Sequence, residues 1–454
     1  MASKLLRKLE RMANEASVAR LQTLLRIPTI SRADVDATDW AQFEHFIRTI
    51  AELYPLVHTR LERELIAGHS LLFRWQGRAS TEPSVLMAHY DVVAATDAGW
   101  KHPPFAGELS GKGPDRLIWG RGTLDNKGAV ASILEAVESQ LAAGLVPSQD
   151  IYLVFTHDEE THGSGAVAVV GVLESRGIRP ALVLDEGGAI VQGAFPSVTA
   201  PVAVVGVAEK GVTNLRLVVD EQGGHASTPP KVTATVRLAR AITRLNDRPF
   251  PARFSPTAIE MFRTLGLEAT GIIGWAFRHI GLTRFLLLPI VARQGAELNA
   301  MTRTTQAVTV LEGGHALNAL AERVTAIVNV RVAVGTSVDA VVKHVTKAIG
   351  DERVRVEVVS SGEASPVSPV TGLAWELLRS TIEKSYPGTV VTPYVQNGAT
   401  DSRQFTRISS GVYRFTPFEM AKEERDTLHA KNERMHVATY LSGIQFYRAL
   451  VAAL

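Results

Sequence analysis

Short apolar runs in this chain alternate with longer stretches in which apolar and polar residues recur at helical spacing. The apolar runs are typical of strands, above all where they are unbroken, and they lie at residues 71–75, 85–88, 151–155 and 181–184. A period near 3.6 residues predicts helices, at residues 10–25, 40–52 and 127–143. Strands that alternate with helices predict an α/β fold with a mixed, mainly parallel sheet flanked by helices.

Composition excludes several kinds of protein. At 454 residues the chain is long enough for two domains. A net charge of +2 gives no field that would attract nucleic acid, so we expect no nucleic-acid partner. The chain has no cysteine, so any metal must be held by His, Asp and Glu.

The chain carries no recognisable targeting or membrane segment. Its first residues mix charges at helical spacing and lack the apolar core of a secretory signal. The most apolar later stretch, residues 285–292, contains Pro289 and is too short to span a bilayer. We therefore expect a cytoplasmic protein without a transmembrane segment.

Candidate chemistry begins where the second apolar run ends, at His89-Tyr90-Asp91. Residues two apart on an extended segment point the same way, so His89 and Asp91 can share one pocket. The pattern favours an imidazole that binds a metal through one nitrogen while Asp91 accepts a hydrogen bond from the other. The alternative is ordinary polar capping of a strand end.

Acidic residues follow the other predicted strands in the same way. Glu159 and Glu160 come after residues 151–155, Asp185 comes after 181–184, and Asp125 follows a glycine-rich loop. Because the carboxyl ends of parallel strands share one edge of a sheet, we expect these acids to meet His89 there. So many carboxylates repel one another unless cations neutralise them, and a pair of divalent metals is the simplest explanation.

Four motifs in this order resemble the two-zinc aminoacylase and carboxypeptidase family, which includes carboxypeptidase G, Gly-X carboxypeptidase and succinyl-diaminopimelate desuccinylase. The resemblance spans residues 13–447. The motifs are His89-Tyr90-Asp91, Gly120 to Gly128, Asp158-Glu159-Glu160 with Gly163-Ser164-Gly165, and Asp185-Glu186-Gly187.

The resemblance implies a role for each matched residue. One zinc would be held by His89 and Asp185, the other by Glu160 and His429, and Asp125 would bridge the two; cobalt or manganese can replace zinc in such a ligand set. Glu159 would be the general base that takes a proton from the attacking water, and Asp91 the partner of His89. A cis peptide bond is implied between Asp125 and Asn126.

His429 has competitors, because His157, His162 and His436 lie near the same motifs. Residues 428–434 resemble the closing His-x-x-Asn-Glu motif of the family, which favours His429. A histidine beside a site is more often a surface or packing residue, so we expect that role for the other three.

The resemblance also implies a division into domains. Residues 1–210 and 360–454 would form the catalytic domain, and residues 211–359, with alternating apolar residues, an inserted α+β lid. A helical segment at 246–294 is an addition to the minimal lid. Helix packing is its default role, and an apolar patch for a partner, a membrane surface or an acyl chain is the alternative.

Several lid and loop residues are candidate substrate contacts. The resemblance implies that His225 contacts the substrate's carbonyl oxygen, although it could merely cap a turn. Asn318 and Arg331 match lid residues of the family and could also simply stabilise strands. Arg403 could grip a substrate carboxylate or pair internally with Asp401.

The sequence therefore predicts a zinc-dependent hydrolase that cleaves an amide bond next to a free carboxylate, in an N-acyl amino acid or short peptide. The alternatives are a dinuclear aminopeptidase or dipeptidase and a catalytically idle metal-binding homologue. The cofactor would be two Zn²⁺ ions, and the partners a small-molecule or short-peptide substrate. The chain would be a monomer, or a homodimer formed through the lid.

Overall fold

The computed structural model describes residues 2–195 and 197–454, and for residues 2–10 the backbone only. The strands are β1 Glu62–Ile66, β2 Ser70–Trp75, β3 Ala79–His89, β4 Glu108–Ser110, β5 Leu117–Trp119, β6 Gln149–Thr156, β7 Leu182–Asp185, β8 Ile190–Val191, β9 Val202–Glu209, β10 Gly211–Asp220, β11 Gly224–His225, β12 Thr305–Gly313, β13 Ala319–Leu320, β14 Arg323–Val332, β15 Arg355–Ser360, β16 Val390–Gln396, β17 Val412–Arg414 and β18 Arg434–His436.

The helices are α1 Ala2–Leu25, α2 Trp40–Leu53, α3 Pro55–Arg60, α4 Lys127–Ala142, α5 Ser164–Ser175, α6 Ala234–Asp247, α7 Pro256–Glu268, α8 Gly271–Arg278, α9 Ile280–Val291, α10 Ala296–Thr302, α11 Val338–Ile349, α12 Leu373–Ser385, α13 Lys422–Arg425 and α14 Val437–Ala453. Short 3-10 turns lie at Val35–Ala37, Gly113–Asp115 and Asp401–Arg407.

A large mixed sheet forms the centre of the molecule. Its strands run in the order β1-β2-β6-β3-β7-β17-β9-β16, and β8 pairs with β9. The central strands β6, β3, β7 and β17 are mutually parallel, whereas β1, β2 and β9 each run antiparallel to a neighbour. The predicted fold class is confirmed.

Helices cover both faces of this sheet, which is why its central strands are apolar on both sides. On one face lies α4, whose Val130, Ile133 and Val137 are fully buried in the main core and which packs against α14. On the other face α5 buries Val169 and Leu173 in a second cluster. The carboxyl ends of β3, β6 and β7 consequently open onto one common edge.

A smaller antiparallel sheet is built from β12, β14, β10 and β15, in that order. Its helices α6 and α11 enclose a separate apolar cluster against one face. Strand β14 shows the pattern of a half-buried strand, because alternate residues from Val324 to Val332 are buried. This sheet corresponds in sequence to the predicted lid.

The added segment packs differently from the prediction, which assigned it to the lid. Met261, Phe262 and Leu265 of α7 and Phe277 of α8 join the core of the large sheet, and α7 packs on the edge strand β16. The sequence shows the amphipathic helices but not which sheet their apolar face meets.

Candidate active site

His89 and Asp91 lie together where β3 ends. The His89 ring is buried, and its Nδ1 donates to the Asp91 carbonyl oxygen at 3.1 Å and lies 3.2 Å from Oδ1 of the Asp91 carboxylate. That carboxylate also accepts the Glu159 and Glu160 backbone N–H groups, at 3.2 and 3.1 Å. Asp91 thus orients the imidazole and the acidic turn after β6 together, leaving His89 Nε2 free to face the site.

The loop that carries Asp125 is fixed by hydrogen bonds to the buried carboxylate of Glu433. This carboxylate accepts the backbone N–H of Gly122 and Leu124 at 3.1 and 2.8 Å and the guanidinium of Arg121 at 2.7 Å. Gly122 has a positive φ, and a Cβ there would lie 2.8 Å from a Val92 methyl, so glycine is required. The implied cis peptide bond after Asp125 is present.

The structure differs from the prediction at the end of β7. Glu186 Oε1, and not an oxygen of Asp185, lies 3.1 Å from His89 Nε2. Oδ2 of the Asp185 carboxylate instead accepts the Ser402 backbone N–H at 2.9 Å. Consecutive residues at a strand end point in different directions, and the contact with Ser402 turns Asp185 away from His89.

His429 approaches the acidic cluster from the opposite side. Its Nε2 lies 2.9 Å from Asp125 Oδ2 and 3.0 Å from the Glu160 carboxylate. The other three histidines contact different groups: His157 the Ser70 hydroxyl, His162 the Ala33 carbonyl and His436 the Glu424 carboxylate.

The donor atoms form two triplets that share Asp125. One contains His89 Nε2, Asp125 Oδ1 and Glu186 Oε1, with Nε2 at 2.9 and 3.1 Å from the two oxygens. The other contains His429, Asp125 Oδ2 and Glu160. Tetrahedral zinc with bonds of about 2.0–2.1 Å needs ligand atoms roughly 3.3 Å apart, so these N···O separations suit a small divalent cation. Ligand atoms of His89, Asp125 and Glu160 also lie within 4.8 Å of one another.

Burial sets the protonation of this cluster. It raises the pKa of the Glu186 carboxyl to about 8 and the pKa of Glu159 well above its usual range. Burial also acts to raise the pKa of Asp125, but hydrogen bonds from His429 and His89 outweigh it and hold that pKa well below the usual range. Divalent cations would stabilise the ionised carboxylates and so relieve the cost of packing them together.

His225 and Asn318 lie on one small ribbon, within the segment predicted to form the lid. Strand β11, which ends at His225, pairs with β13, and the Ala226 backbone N–H donates to the Asn318 carbonyl at 3.0 Å. The His225 side chain is exposed, and no side-chain hydrogen bond or ion pair of His225 occurs within the described residues. Its ring is thus available to a ligand.

The charges of three cationic side chains, Lys210, Arg331 and Arg403, act on one another. Burial and the nearby Arg403 lower the pKa of Arg331, and burial and the nearby Arg331 lower the pKa of Lys210 to about 8. Among residues 11–195 and 197–454, no acid forms an ion pair with any of the three. Arg403 donates to the Glu363 carbonyl at 2.9 Å, so its predicted alternative pairing with Asp401 does not form here.

Sequence reasoning missed three residues of this region. Glu186 belongs to the Asp185-Glu186-Gly187 motif, in which the metal ligand was predicted to be its neighbour Asp185. Glu433 belongs to the closing His-x-x-Asn-Glu motif, from which only His429 was predicted to have a role. Lys210 carries no signal in the sequence, because its position beside Arg331 follows only from the junction between β9 and β10.

The fold and this donor set define a metal-dependent hydrolase, and the sequence shows which kind. Residues 85–453 match the model of Peptidase family M20/M25/M40, so the chain belongs to this family. The resemblance inferred from the motifs is confirmed. The chain is a metallopeptidase or amidohydrolase that hydrolyses amide bonds.

Two relatives cover most of the chain. N-fatty-acyl-amino acid synthase/hydrolase PM20D1 from Homo sapiens is 34% identical over 441 residues, which cover 95% of this chain and 86% of the human protein. Carboxypeptidase S from Saccharomyces cerevisiae is 28% identical over 488 aligned residues, with 95% and 83% covered.

Solved structures show the same fold. The M20 family metallo-carboxypeptidase Sso-CP2 from Sulfolobus solfataricus superposes with a TM-score of 0.69 at 17% identity, covering 96% of this chain and 98% of the other. The Bacillus subtilis YXEP protein, a dinuclear metal-binding peptidase of the M20 family, gives 0.57 at 12% identity, with 97% and 98% covered. Within the described residues, no helix is long and apolar enough to cross a membrane.

Proposed function

We propose that this chain is a two-zinc hydrolase that cleaves the amide bond between an acyl group and an amino acid whose carboxylate is free. The observation that carries the proposal is the pair of ligand triplets that share Asp125, with Glu159 beside them. Donor atoms of His89, Glu159 and Glu186 lie within 4.8 Å of one another.

The metal ligands follow from the two triplets. His89, Asp125 and Glu186 would hold one ion, and Asp125, Glu160 and His429 the other. When bound, such ions lower the pKa of water and polarise the amide carbonyl. We assign Glu186 in place of Asp185 because only Glu186 makes the contact with His89.

Glu159 is the group that moves the proton. Water adds to the carbonyl carbon, the Glu159 carboxylate accepts its proton, and the same carboxyl gives a proton to the nitrogen as the carbon–nitrogen bond breaks. The products are a carboxylic acid and a free amino acid. Asp91 positions this base, because its carboxylate accepts the Glu159 backbone N–H.

The substrate carboxylate would bind the cations Arg331 and Arg403. The buried Lys210, whose Nζ donates to the Ala300 and Arg303 carbonyl oxygens, would add a nearby positive charge. Three neighbouring positive charges without an acidic partner repel one another, and a bound carboxylate relieves that repulsion. His225 would reach the carbonyl oxygen when the lid closes over the substrate, as an oxyanion donor.

The names of the relatives support both halves of this substrate. One relative is named for N-fatty-acyl amino acids and another as a carboxypeptidase, and both descriptions imply an amide beside a free carboxylate. An aminopeptidase or dipeptidase would also need a site for a free amine. A catalytically idle homologue would have no use for Glu159.

The test is hydrolysis by zinc-loaded protein of a panel of N-acyl amino acids, N-blocked dipeptides, free dipeptides and the amide-capped form of each. We expect turnover of the first two groups and at least a tenfold preference, on the order expected for a charge-assisted contact, for free over capped carboxylates. Turnover of free dipeptides alone would support the dipeptidase alternative. Absence of all turnover with two ions bound would support the idle homologue.

A further inference from the structure

A cavity opens directly beside the metal ligands. It has a volume of about 360 Å³ and lies between the two loops that deliver ligands from opposite sides, since Gly187 follows Glu186 and Leu428 precedes His429. We call it the side pocket. Its size lies within the range of pockets that hold small organic ligands.

The walls of the side pocket are apolar over most of their surface. They come from the segment after β7, from β9, from α10, from β16 and the loop after it, and from the segment before His429. The apolar lining residues include Val191, Phe195, Leu298, Met301, Met420 and Leu428. Two charged residues, Glu297 and Arg425, and the polar Gln396 and Asn397 also line the pocket. The apolar part of the pocket, around Phe195, Leu298 and Met301, therefore suits an apolar group.

The two ends of the substrate then meet different surroundings. The cluster of Lys210, Arg331 and Arg403 suits a carboxylate, whereas the apolar wall around Leu298 and Met301 suits an uncharged chain, because burying an unpaired charge against apolar side chains is costly. We propose that the side pocket binds the aliphatic acyl chain of the substrate, and that Leu298 and Met301 on α10 set its length. This inference rests on the proposed function.

The experiment compares N-acetyl, N-hexanoyl and N-dodecanoyl derivatives of one amino acid. Met301→Trp should fill the pocket and lower kcat/KM for the dodecanoyl substrate by at least about tenfold, while kcat/KM for the acetyl substrate changes less than about twofold. Met301→Ala, which enlarges the pocket, should shift the preference toward longer chains. Leu373→Trp is the control, because Leu373 is 85% exposed elsewhere.

Each result has a distinct meaning. If the wild-type chain hydrolyses no member of the series, the proposed function fails. If it does and folded Met301→Trp keeps the wild-type length profile, the pocket assignment fails alone. A changed preference among amino acids with the acyl group constant would assign the pocket to the amino-acid side chain and overturn the inference. Leu298→Trp repeats the test if Met301→Trp does not fold.

A second observation stands apart from the active site and from the proposed function. Helices α8 and α9 bury one apolar face, with Phe277 and Ile280, and expose another. Leu282 is 78% exposed and Phe285 72% exposed. We call the outer face the helical surface, formed by Ile272, Trp275, Leu282, Phe285, Leu286 and Ile290. Large apolar side chains exposed at helical spacing on two consecutive helices indicate a binding surface.

The charge of the helical surface decides between two possible partners, a second copy of this chain and an anionic membrane. Residues 269–296 contain Arg278, Arg284 and Arg293, all exposed, and no acidic residue. In a twofold dimer through this face the like charges would approach one another. An anionic bilayer instead accepts large apolar side chains and attracts the arginines. We propose that the helical surface docks on anionic lipid membranes.

Vesicle sedimentation tests this proposal with the full chain, on phosphatidylcholine alone and on a mixture with phosphatidylglycerol at about three to one. Binding should require the anionic lipid and weaken with salt. Phe285→Ser with Leu286→Ser, and separately Arg284→Glu with Arg293→Glu, should each lower it by at least about tenfold. Leu373→Ser and Arg179→Glu, both at exposed positions outside this face, are the matched controls.

Two outcomes would overturn the membrane proposal. The first is wild-type protein that binds neither vesicle, or binds both equally. The second is wild-type protein that sediments as a dimer, with the double serine variant monomeric, which would assign the helical surface to a second copy of the chain.

Discussion

The carboxyl edge of the large sheet and the lid ribbon both carry residues of the candidate site, but they hold them in opposite ways. At the edge, His89 is buried and hydrogen-bonded to Asp91, which in turn anchors the turn that carries Glu159. On the ribbon, His225 is exposed at the end of a strand of two residues.

This difference matches two different requirements: metal ligands must be rigid, and a residue that closes over a substrate must move. Side chains bind a metal tightly when neighbouring hydrogen bonds already hold them in place, because folding has then already ordered them and metal binding loses no further conformational entropy. A residue that closes over a substrate comes from a region with few buried contacts. Variants at the edge should therefore change the chemistry or the metals, and variants on the ribbon should change turnover alone.

The largest effect on turnover is expected at Glu159. Glu159→Gln should lower kcat by on the order of a thousandfold or more, because an amide cannot accept the proton of water. Both ions should stay bound. Glu160→Gln is the matched variant, and it should instead lower the affinity for one of the two ions. Elemental analysis and kcat are the measurements, and identical behaviour of the two variants would contradict the separate roles.

The second expected effect discriminates between adjacent acids. Glu186→Gln should lower the affinity for one of the two ions by more than about a hundredfold, since even a residue that only hydrogen-bonds to a ligand contributes about ten- to a hundredfold to metal affinity. Asp185→Asn should have a much smaller effect, because the amide oxygen can still accept the Ser402 N–H. Titration of metal into chelator-treated protein measures both. The reverse ranking would restore Asp185 as the ligand that the sequence predicted.

The third variant is on the ribbon. His225→Ala should lower kcat by about a hundredfold, the range for one oxyanion donor, without changing metal content or thermal stability. Wild-type turnover would favour the turn-capping alternative. Activity recovered on mixing His225→Ala with Glu159→Gln protein would show that His225 serves the partner subunit of a homodimer.

The smallest effect is expected for Asp91, which contacts the predicted ligand His89 and would not itself bind a metal. Asp91→Asn should weaken metal binding by about ten- to a hundredfold and also lower kcat, because Asp91 orients His89 and the Glu159 turn together. Isothermal titration and kcat measure the two consequences. A loss of metal affinity with unchanged kcat at saturating zinc would limit Asp91 to its contact with His89.

The sequence by itself determined the fold class, the family and the reaction class. Apolar runs that end in His and acidic residues specify buried parallel strands, and the carboxyl ends of such strands must share an edge. For this reason His89, Asp125, Glu159 and Glu160 could be grouped before the structure was known, and the structure does bring them together. The domain boundaries and the cytoplasmic location stay predictions.

Tertiary structure alone decided which of two adjacent acids faces His89. Asp185 and Glu186 are equivalent in a motif, and the choice depends on the Ser402 N–H, which comes from a turn far along the chain. The same holds for Lys210, which joins Arg331 only because β9 runs into β10 at that point, and for α7, whose apolar face meets β16. Local patterns specify which face of an element is apolar, but its partner is chosen by packing between segments distant in sequence.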